Sequence, residues 1–194
     1  METLERYLGQ LASTQPTPGG GSAATIVAAV GAALVAMAAR ISAGNPKYAA
    51  YRETALRVAS ESDAVRTSLV LARERDERAF AAVVAAQGAR AREAALHAAA
   101  EAPLDAAKDC TRVLRLAASA LEVPNRNLAS DIGCAAEFGF AALAACAYNV
   151  RINHRYMRDA AAIERQAARL TQYERDGAAL LEMVREGVRR LLEA

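Results

Sequence analysis

Asp76 is the residue whose position is hardest to reconcile with packing alone. The apolar positions Val58, Val65, Leu69, Ala72, Phe80 and Val83 recur at steps of three, four and seven, which predicts one stripe of a helix. Asp76 falls on that stripe, one turn from both Ala72 and Phe80. Burying a lone carboxylate is costly unless it is paired or protonated. Such a carboxyl, with its pKa raised by apolar surroundings, suits general acid/base work near neutral pH. A buried salt bridge to one of the many arginines accounts for the same placement without chemistry. Its neighbours Glu74, Arg75, Glu77 and Arg78 read as solvated charge.

Two further groups could touch a ligand. Asn149 and Asn153 lie four apart near the end of a long apolar segment, so both amides share one helix face as structural hydrogen-bonding groups or ligand contacts. The stretch QPTPGGGSAATIVAAVGAALVAMAAR, Gln15 to Arg40, sets three glycines before eighteen uncharged residues, Ser22 to Ala39. It lacks the lysine and the preceding strand of a phosphate loop. Its length approaches that of a membrane span, but nine of the eighteen residues are alanine, which adds little transfer free energy. The remaining reading is a buried central helix with Pro18 fixing the entry, glycines adopting angles closed to other residues and Ser22 as N-cap. A turn of this kind presents unpaired N–H groups to an anion or a polar ligand edge, or merely turns the chain.

The elements that must position these groups are helical. Of the 194 residues, 54% are hydrophobic and 5% aromatic, with no Trp, and the excess is alanine, a strong helix former and a poor strand former. Five prolines and eleven glycines leave few helix ends. The expectation is an all-α fold, one domain over residues 1–194, built of long packed helices. METLERYLGQL, with Leu4, Tyr7, Leu8 and Leu11 on one face, reads as an amphipathic helix rather than a secretory leader. Asn45-Pro46 starts a long helix that runs to about Gln87-Gly88. The next runs from about Ala89 to Leu121, with Pro103 marking a kink or restart. Val123 to Asn127 is a loop, and an apolar helix capped by Ser130 or Asp131 continues to about Met157. The remainder, Asp159 to Ala194, is an outer amphipathic helix with Ile163, Leu170, Leu180, Val184, Val188 and Leu191 on one side.

Composition also narrows the partners. A formal charge of +2 with dispersed basic residues argues against nucleic acid. Cys110, Cys134 and Cys146 are odd in number and lie in apolar segments, so they read as buried thiols of a reducing, cytoplasmic compartment. His97 and His154 are the only histidines and form no metal-binding pair, so no metal site is expected.

In order along the chain stand P-T-P-G-G-G-S at Pro16 to Ser22, G-x-x-K-Y at Gly44 to Tyr48, and D-x-x-A-F at Asp76 to Phe80. P-L at Pro103 to Leu104, S-D-x-G at Ser130 to Gly133 and N-V-x-I-N at Asn149 to Asn153 follow. The ordered set resembles the cyclodeaminase/cyclohydrolase family, which includes the cyclodeaminase domain of formimidoyltransferase-cyclodeaminase and bacterial methenyltetrahydrofolate cyclohydrolases. The resemblance implies an all-α homodimer with a folate site near the subunit interface, acting on a one-carbon-substituted tetrahydrofolate without metal or redox cofactor and without a membrane or nucleic-acid partner. It places the acid/base aspartate at Asp76 and adds Asp131 to the catalytic pair. It implies that Pro18, Gly19, Gly20, Gly21 and Ser22 line the folate pocket. Ser130, Asn149 and Asn153 would position pterin and water, Lys47 or nearby arginines would meet the substrate's carboxylates, and Tyr48 and Asn125 complete the binding set. On a straight helix Asn149 lies about 27 Å from Asp131 at 1.5 Å per residue. Without distortion the two belong to different sites or to a symmetric pair of sites.

The chain departs from the family between Phe80 and Pro103, where it reads VVAAQGARAREAALHAAAEAPL and lacks the family's Leu-Pro-Lys loop. Pro124 replaces a family glycine, and Glu137 is an added acid with an arginine as its expected partner. The reading is a methenyltetrahydrofolate cyclohydrolase or a formimidoyltetrahydrofolate cyclodeaminase. Its rivals are recruitment to a non-folate imine or amidine, and a non-catalytic folate-binding or assembly module.

Overall fold

The computed structural model describes residues 3–193. Met1 and Glu2 of the opening motif, and Ala194 at the end of the expected domain, lie outside them. Six α-helices follow in order: α1 (Leu4–Leu11), α2 (Gly20–Gly44), α3 (Arg52–Ala85), α4 (Ala89–Ala120), α5 (Ala129–His154) and α6 (Ala160–Glu193). Among the described residues there is no strand. The principal core draws residues from α2 through α6.

The central helix is α2, in contact with α3, α4 and α5. Its alanines make this possible, since Ala28 and Ala32 are fully buried and Ala36 and Ala38 nearly so. α5 runs antiparallel to α2: Gly20, at the start of α2, lies against Asn149, and Gly31, farther along, lies against Ala135. At Gly31 an added Cβ would come within 2.9 Å of the Ala135 carbonyl oxygen. Small residues set how closely the two backbones approach. By length and composition both α2 and the stretch Arg126–His154 could cross a membrane. In α2, 61% of the most apolar window is buried inside the fold, so core packing accounts for most of its hydrophobicity.

The helix beginning at Asn45-Pro46 starts differently from its expectation. Asn45 caps it, its Oδ1 accepting the Lys47 N–H at 3.0 Å, but the first turns form a 3₁₀ helix, Pro46–Tyr51, with Tyr48 at φ −110°, ψ 24°. That irregular turn lets Tyr48 bury itself with Ala43, Ala55 and Val123 before α3 begins. α5 starts without a Ser130 or Asp131 side-chain cap, because a 3₁₀ turn, Arg126–Leu128, leads straight into it. It ends at His154, short of Met157. Pro103 causes no restart, for α4 is continuous through it and packs against α3, α5 and α6. Cys110 and Cys146 are buried as expected, whereas Cys134 is exposed, on the outer face of α5. In α1 only Tyr7 is buried.

Gly31→Ala is expected to lower stability by about 1–3 kcal/mol, the usual cost of overpacking. The nearest atom belongs to backbone and cannot swing aside. A denaturation midpoint unchanged from wild type would show that α2 and α5 can separate freely.

Candidate active site

Three helices each contribute a stripe to one cavity of about 340 Å³. α3 supplies Asp76, Phe80 and Val83, and α4 supplies Arg92, Leu96 and Ala99. The end of α5 and the turn after it supply Asn149, Ile152, Asn153 and Tyr156. Each set recurs at steps of three or four, the spacing that places side chains on one helical face. The fourth wall is the turn Pro16 and Thr17 with Gly19, Gly20 and Gly21.

Asp76 faces the first turn of α2. The Ser22 backbone N–H there, one of the donors that a helix N-terminus leaves without an intrahelical partner, favours the charged form of the Asp76 carboxylate. An added Cβ on Gly21 would lie 2.6 Å from Asp76 Oδ2 and 2.7 Å from Cγ, so the carboxylate occupies the volume a side chain there would fill. This corrects the expected role of the glycines. Among the described residues only Gly88 has a positive φ, and Gly19 is extended at φ −125°; the turn uses the missing Cβ of Gly21, not unusual backbone angles. Pro18, joined to Thr17 by a cis peptide, shapes the turn without lining the cavity.

Burial pushes the Asp76 carboxyl above its usual range, the Ser22 N–H pulls the other way, and the neighbouring Glu77 carboxylate adds to the rise. Glu77 is half-buried rather than freely solvated. It accepts a hydrogen bond from Ser22 Oγ at 2.9 Å, and Ser22 Oγ lies 3.0 Å from Tyr7 Oη. Ser22 is therefore not the N-cap, a position taken by Gly19. Its fully buried hydroxyl ties α1 to α3 beneath the acid.

Asn149 donates through Nδ2 to the Ala145 carbonyl at 2.9 Å. Asn153 donates through Nδ2 to Asn149 O at 2.8 Å and to Ala99 O at 3.0 Å. The second bond has its cause in Pro103. Proline has no N–H, so the carbonyl four residues earlier, at Ala99, loses its helical donor and is pushed aside by the ring. Asn153 takes up that orphaned acceptor. With the nitrogens committed, each Oδ1 is left to accept from a ligand.

The other predicted site residues gather at the far end of the bundle. Tyr48 Oη donates to Asn125 Oδ1 at 3.4 Å, and Asn125 Nδ2 donates to Ser42 Oγ at 3.1 Å; both Tyr48 and Asn125 are buried. Lys47 and Ser130 are exposed and Asp131 is half-buried, the Lys47 ammonium lying 5.6 Å from the centre of the Tyr48 ring. α5 is continuous from Ala129 to His154, so Asp131 stands apart from Asp76 within one chain. Glu137 has its arginine partner: Arg185 Nε and Nη2 lie 2.8 and 3.1 Å from its two oxygens.

The sequence profile of the formiminotransferase-cyclodeaminase family matches residues 3–172. The chain belongs to this family. It is 36% identical to the methenyltetrahydrofolate cyclohydrolase of Methylorubrum extorquens, over 97% of this chain and 96% of that protein. The fold is similar to that of formiminotetrahydrofolate cyclodeaminase from Thermotoga maritima, at TM-score 0.95 and 24% identity over 98% of each chain. Segments that are far apart in sequence meet around the cavity: the glycine turn, the aspartate of α3, the proline of α4 through Ala99, and the asparagine pair of α5.

Phe80, Val83, Arg92, Leu96, Ile152 and Tyr156 were not singled out from sequence as site residues. The signal was present, since each stands three, four or seven positions from a singled-out residue or from another lining residue on the same helix.

Replacing Pro103 by Ala restores a helical donor to Ala99 O. Stability is expected to stay within about 2 kcal/mol of wild type, the helical gain offsetting lost packing. Catalytic efficiency should fall roughly tenfold as Asn153 loses its fixed position. Equal turnover by wild type and Pro103→Ala would leave the proline a packing role only.

Proposed function

We propose that the protein is a cytoplasmic one-carbon folate enzyme that hydrolyses 5,10-methenyltetrahydrofolate, with Asp76 as its acid/base group. The observation that carries this reading is a single carboxyl, its pKa raised by burial, set at one end of a cavity with apolar walls and two asparagine acceptors. The relative named as a methenyltetrahydrofolate cyclohydrolase supports it.

The electrophile is the amidinium carbon between N5 and N10. Ionised Asp76 takes a proton as water oxygen bonds to that carbon, giving a neutral tetrahedral adduct. Protonated Asp76 then returns a proton to the departing ring nitrogen as its bond to carbon breaks. The product is the formyl derivative, and the second water proton is released to solvent. The substrate's cation also favours the ionised acid before water adds. A carboxyl whose pKa is shifted upward serves both steps better than an ordinary aspartate. Asn149 and Asn153 offer acceptors for pterin N–H groups. No resident metal or redox cofactor takes part in this scheme, nor does nucleic acid or a membrane. In the related cyclodeaminase reaction N10 attacks a formimino carbon, and the same carboxyl protonates departing ammonia.

The split of the predicted set also bears on assembly. Val27, Val30, Leu34, Met37 and Ile41 recur along α2 at steps of three and four. Val27, Val30, Met37 and Ile41 remain 38–50% exposed, beside the exposed Phe138 of α5. An apolar seam with this spacing suits helix-to-helix association. A second copy laid antiparallel along the seam brings its Asp131 and Lys47 end over the Asp76 end of the first. We take the working unit to be this two-fold dimer.

Loss of the near-ultraviolet absorbance of 5,10-methenyltetrahydrofolate should be accelerated by the wild type, and Asp76→Asn should lower kcat by at least about a hundredfold. Because Asp76 must be ionised to accept the water proton and its pKa is raised, activity should fall on the acid side with an apparent pKa above 3.8. Full activity in Asp76→Asn would remove the residue from the mechanism. Activity toward formimidoyltetrahydrofolate alone would select the cyclodeaminase reaction.

The double variant Val30→Glu/Met37→Glu should sediment as a monomer, retain its helical circular dichroism and lose turnover. A fully active monomer would separate Asp131 and Lys47 from the reaction.

A further inference from the structure

We infer that Arg92 reads the anionic tail of the substrate, and so fixes which way a folate lies in the cavity. The inference rests on the folate reading above and assigns a role to a residue in the segment where this chain departs from its family.

Arg92 lines the cavity and is exposed. Among the described residues it has neither a hydrogen bond nor an ion pair to another side chain, whereas the arginines Arg151, Arg169 and Arg185 each meet a carboxylate. An arginine at a cleft without an acidic partner keeps its planar fork for a carboxylate from outside.

Its distance from the acid follows from two helices. Asp76 and Val83 are seven residues apart on α3, and Arg92 and Ala99 are seven apart on α4; each interval spans roughly 10 Å at 1.5 Å per residue. The helices are consecutive and joined by a short turn at 86–88, so they run in opposite directions. Asn153, bonded to Ala99 O and Asn149 O, marks the catalytic end of α4, and Asn149 stands beside Gly20. Arg92 therefore lies about two helical turns from the Asp76 end. Between them the walls are apolar, with Phe80, Leu96 and Ile152.

A folate has this layout. Outward from N10 come a flat aryl ring, an amide and then the carboxylates of a glutamate. With the amidinium carbon at Asp76, the aryl ring occupies the apolar neck and the first carboxylate arrives near Arg92. The reverse orientation would put carboxylates beside Asp76 and Glu77, where like charges repel.

Arg92 is held independently of any ligand. The next residue, Glu93, accepts the backbone N–H groups of Arg158 and Asp159 at 2.7 and 2.8 Å, which ties this turn of α4 to the start of α6. The backbone is fixed there while the guanidinium stays available.

The test compares 5,10-methenyltetrahydrofolate with 5,10-methenyltetrahydropteroate, which ends at the benzoate and lacks the glutamate, on wild type and Arg92→Gln. Arg92→Gln should raise KM for the folate roughly tenfold to a hundredfold, the usual worth of a charge-assisted hydrogen bond, with kcat within about twofold. KM for the pteroate should be similar in both proteins. Arg92→Lys should recover part of the loss, and the wild-type KM for the folate should rise with salt more steeply than that of Arg92→Gln. Equal folate KM values in wild type and Arg92→Gln, or an equal loss on both substrates, would overturn the assignment of Arg92 while leaving the hydrolase reading intact. Absence of wild-type turnover on both substrates would overturn that reading, and this inference with it.

Discussion

The Asp76 carboxylate occupies the space that a side chain on Gly21 would fill, and the geometry of the cleft follows from that contact. To bring an acid on α3 against the first turn of α2, both helices must lie side by side with α2 entering from a turn that carries no bulk. The contact sets opposing forces on one group. Removing the carboxylate from water disfavours its charge, the Ser22 N–H favours it, and Glu77 next to it disfavours it again. Burial wins, and the carboxyl holds its proton more readily than an exposed aspartate does. Glu77 itself stays in place because the buried Ser22 hydroxyl of α2, which is also hydrogen-bonded with Tyr7 of α1, donates to it.

The rest of the bundle can be understood as what holds that contact still. α2 is the core helix because its small residues admit α3, α4 and α5 at close range. α5 runs antiparallel to it and delivers Asn149 and Asn153 to the same end. Pro103 links helix packing to the cavity. It makes the α4 helix locally less favourable by removing one backbone bond, and that missing bond leaves Ala99 O as the anchor for Asn153. Natural sequences break local rules at functional sites and compensate elsewhere. Here a proline inside a helix and an acid on an apolar stripe both serve the same cavity.

Much of this was legible in the sequence because the relevant signals are periodic or compositional. The alanine excess and scarce breakers predict long helices, and Asp76 stood out because its stripe was otherwise apolar. The ordered motifs identified the family. The reason for the glycines was not legible, since a sequence does not distinguish a glycine needed for its backbone angle from one needed for its missing Cβ; Gly21 is of the second kind. Ser22 looked like a cap because hydroxyls precede many helices, but tertiary bonds to Tyr7 and Glu77 claimed it. Glu77 looked solvated because its sequence neighbours are charged, and only the fold shows the Ser22 hydroxyl and Arg73 meeting it. Asp131 and Asp76 belong to one ordered set of motifs, yet the straightness of α5 keeps them at opposite ends of a chain.

That separation gives the exposed seam of α2 its meaning. A helix already buried against three neighbours has little reason to carry Val27, Val30, Met37 and Ile41 on its remaining face, because exposed apolar side chains add nothing to a monomer's stability and promote association. The same helix has the glycine turn at one end and the Tyr48–Asn125 cluster at the other. A two-fold contact that reverses its direction juxtaposes those unlike ends twice, once for each site. On the proposed two-fold dimer the seam and the divided residue set would be one arrangement: each chain would carry both halves of a site, and symmetry would close the distance that a straight helix imposes.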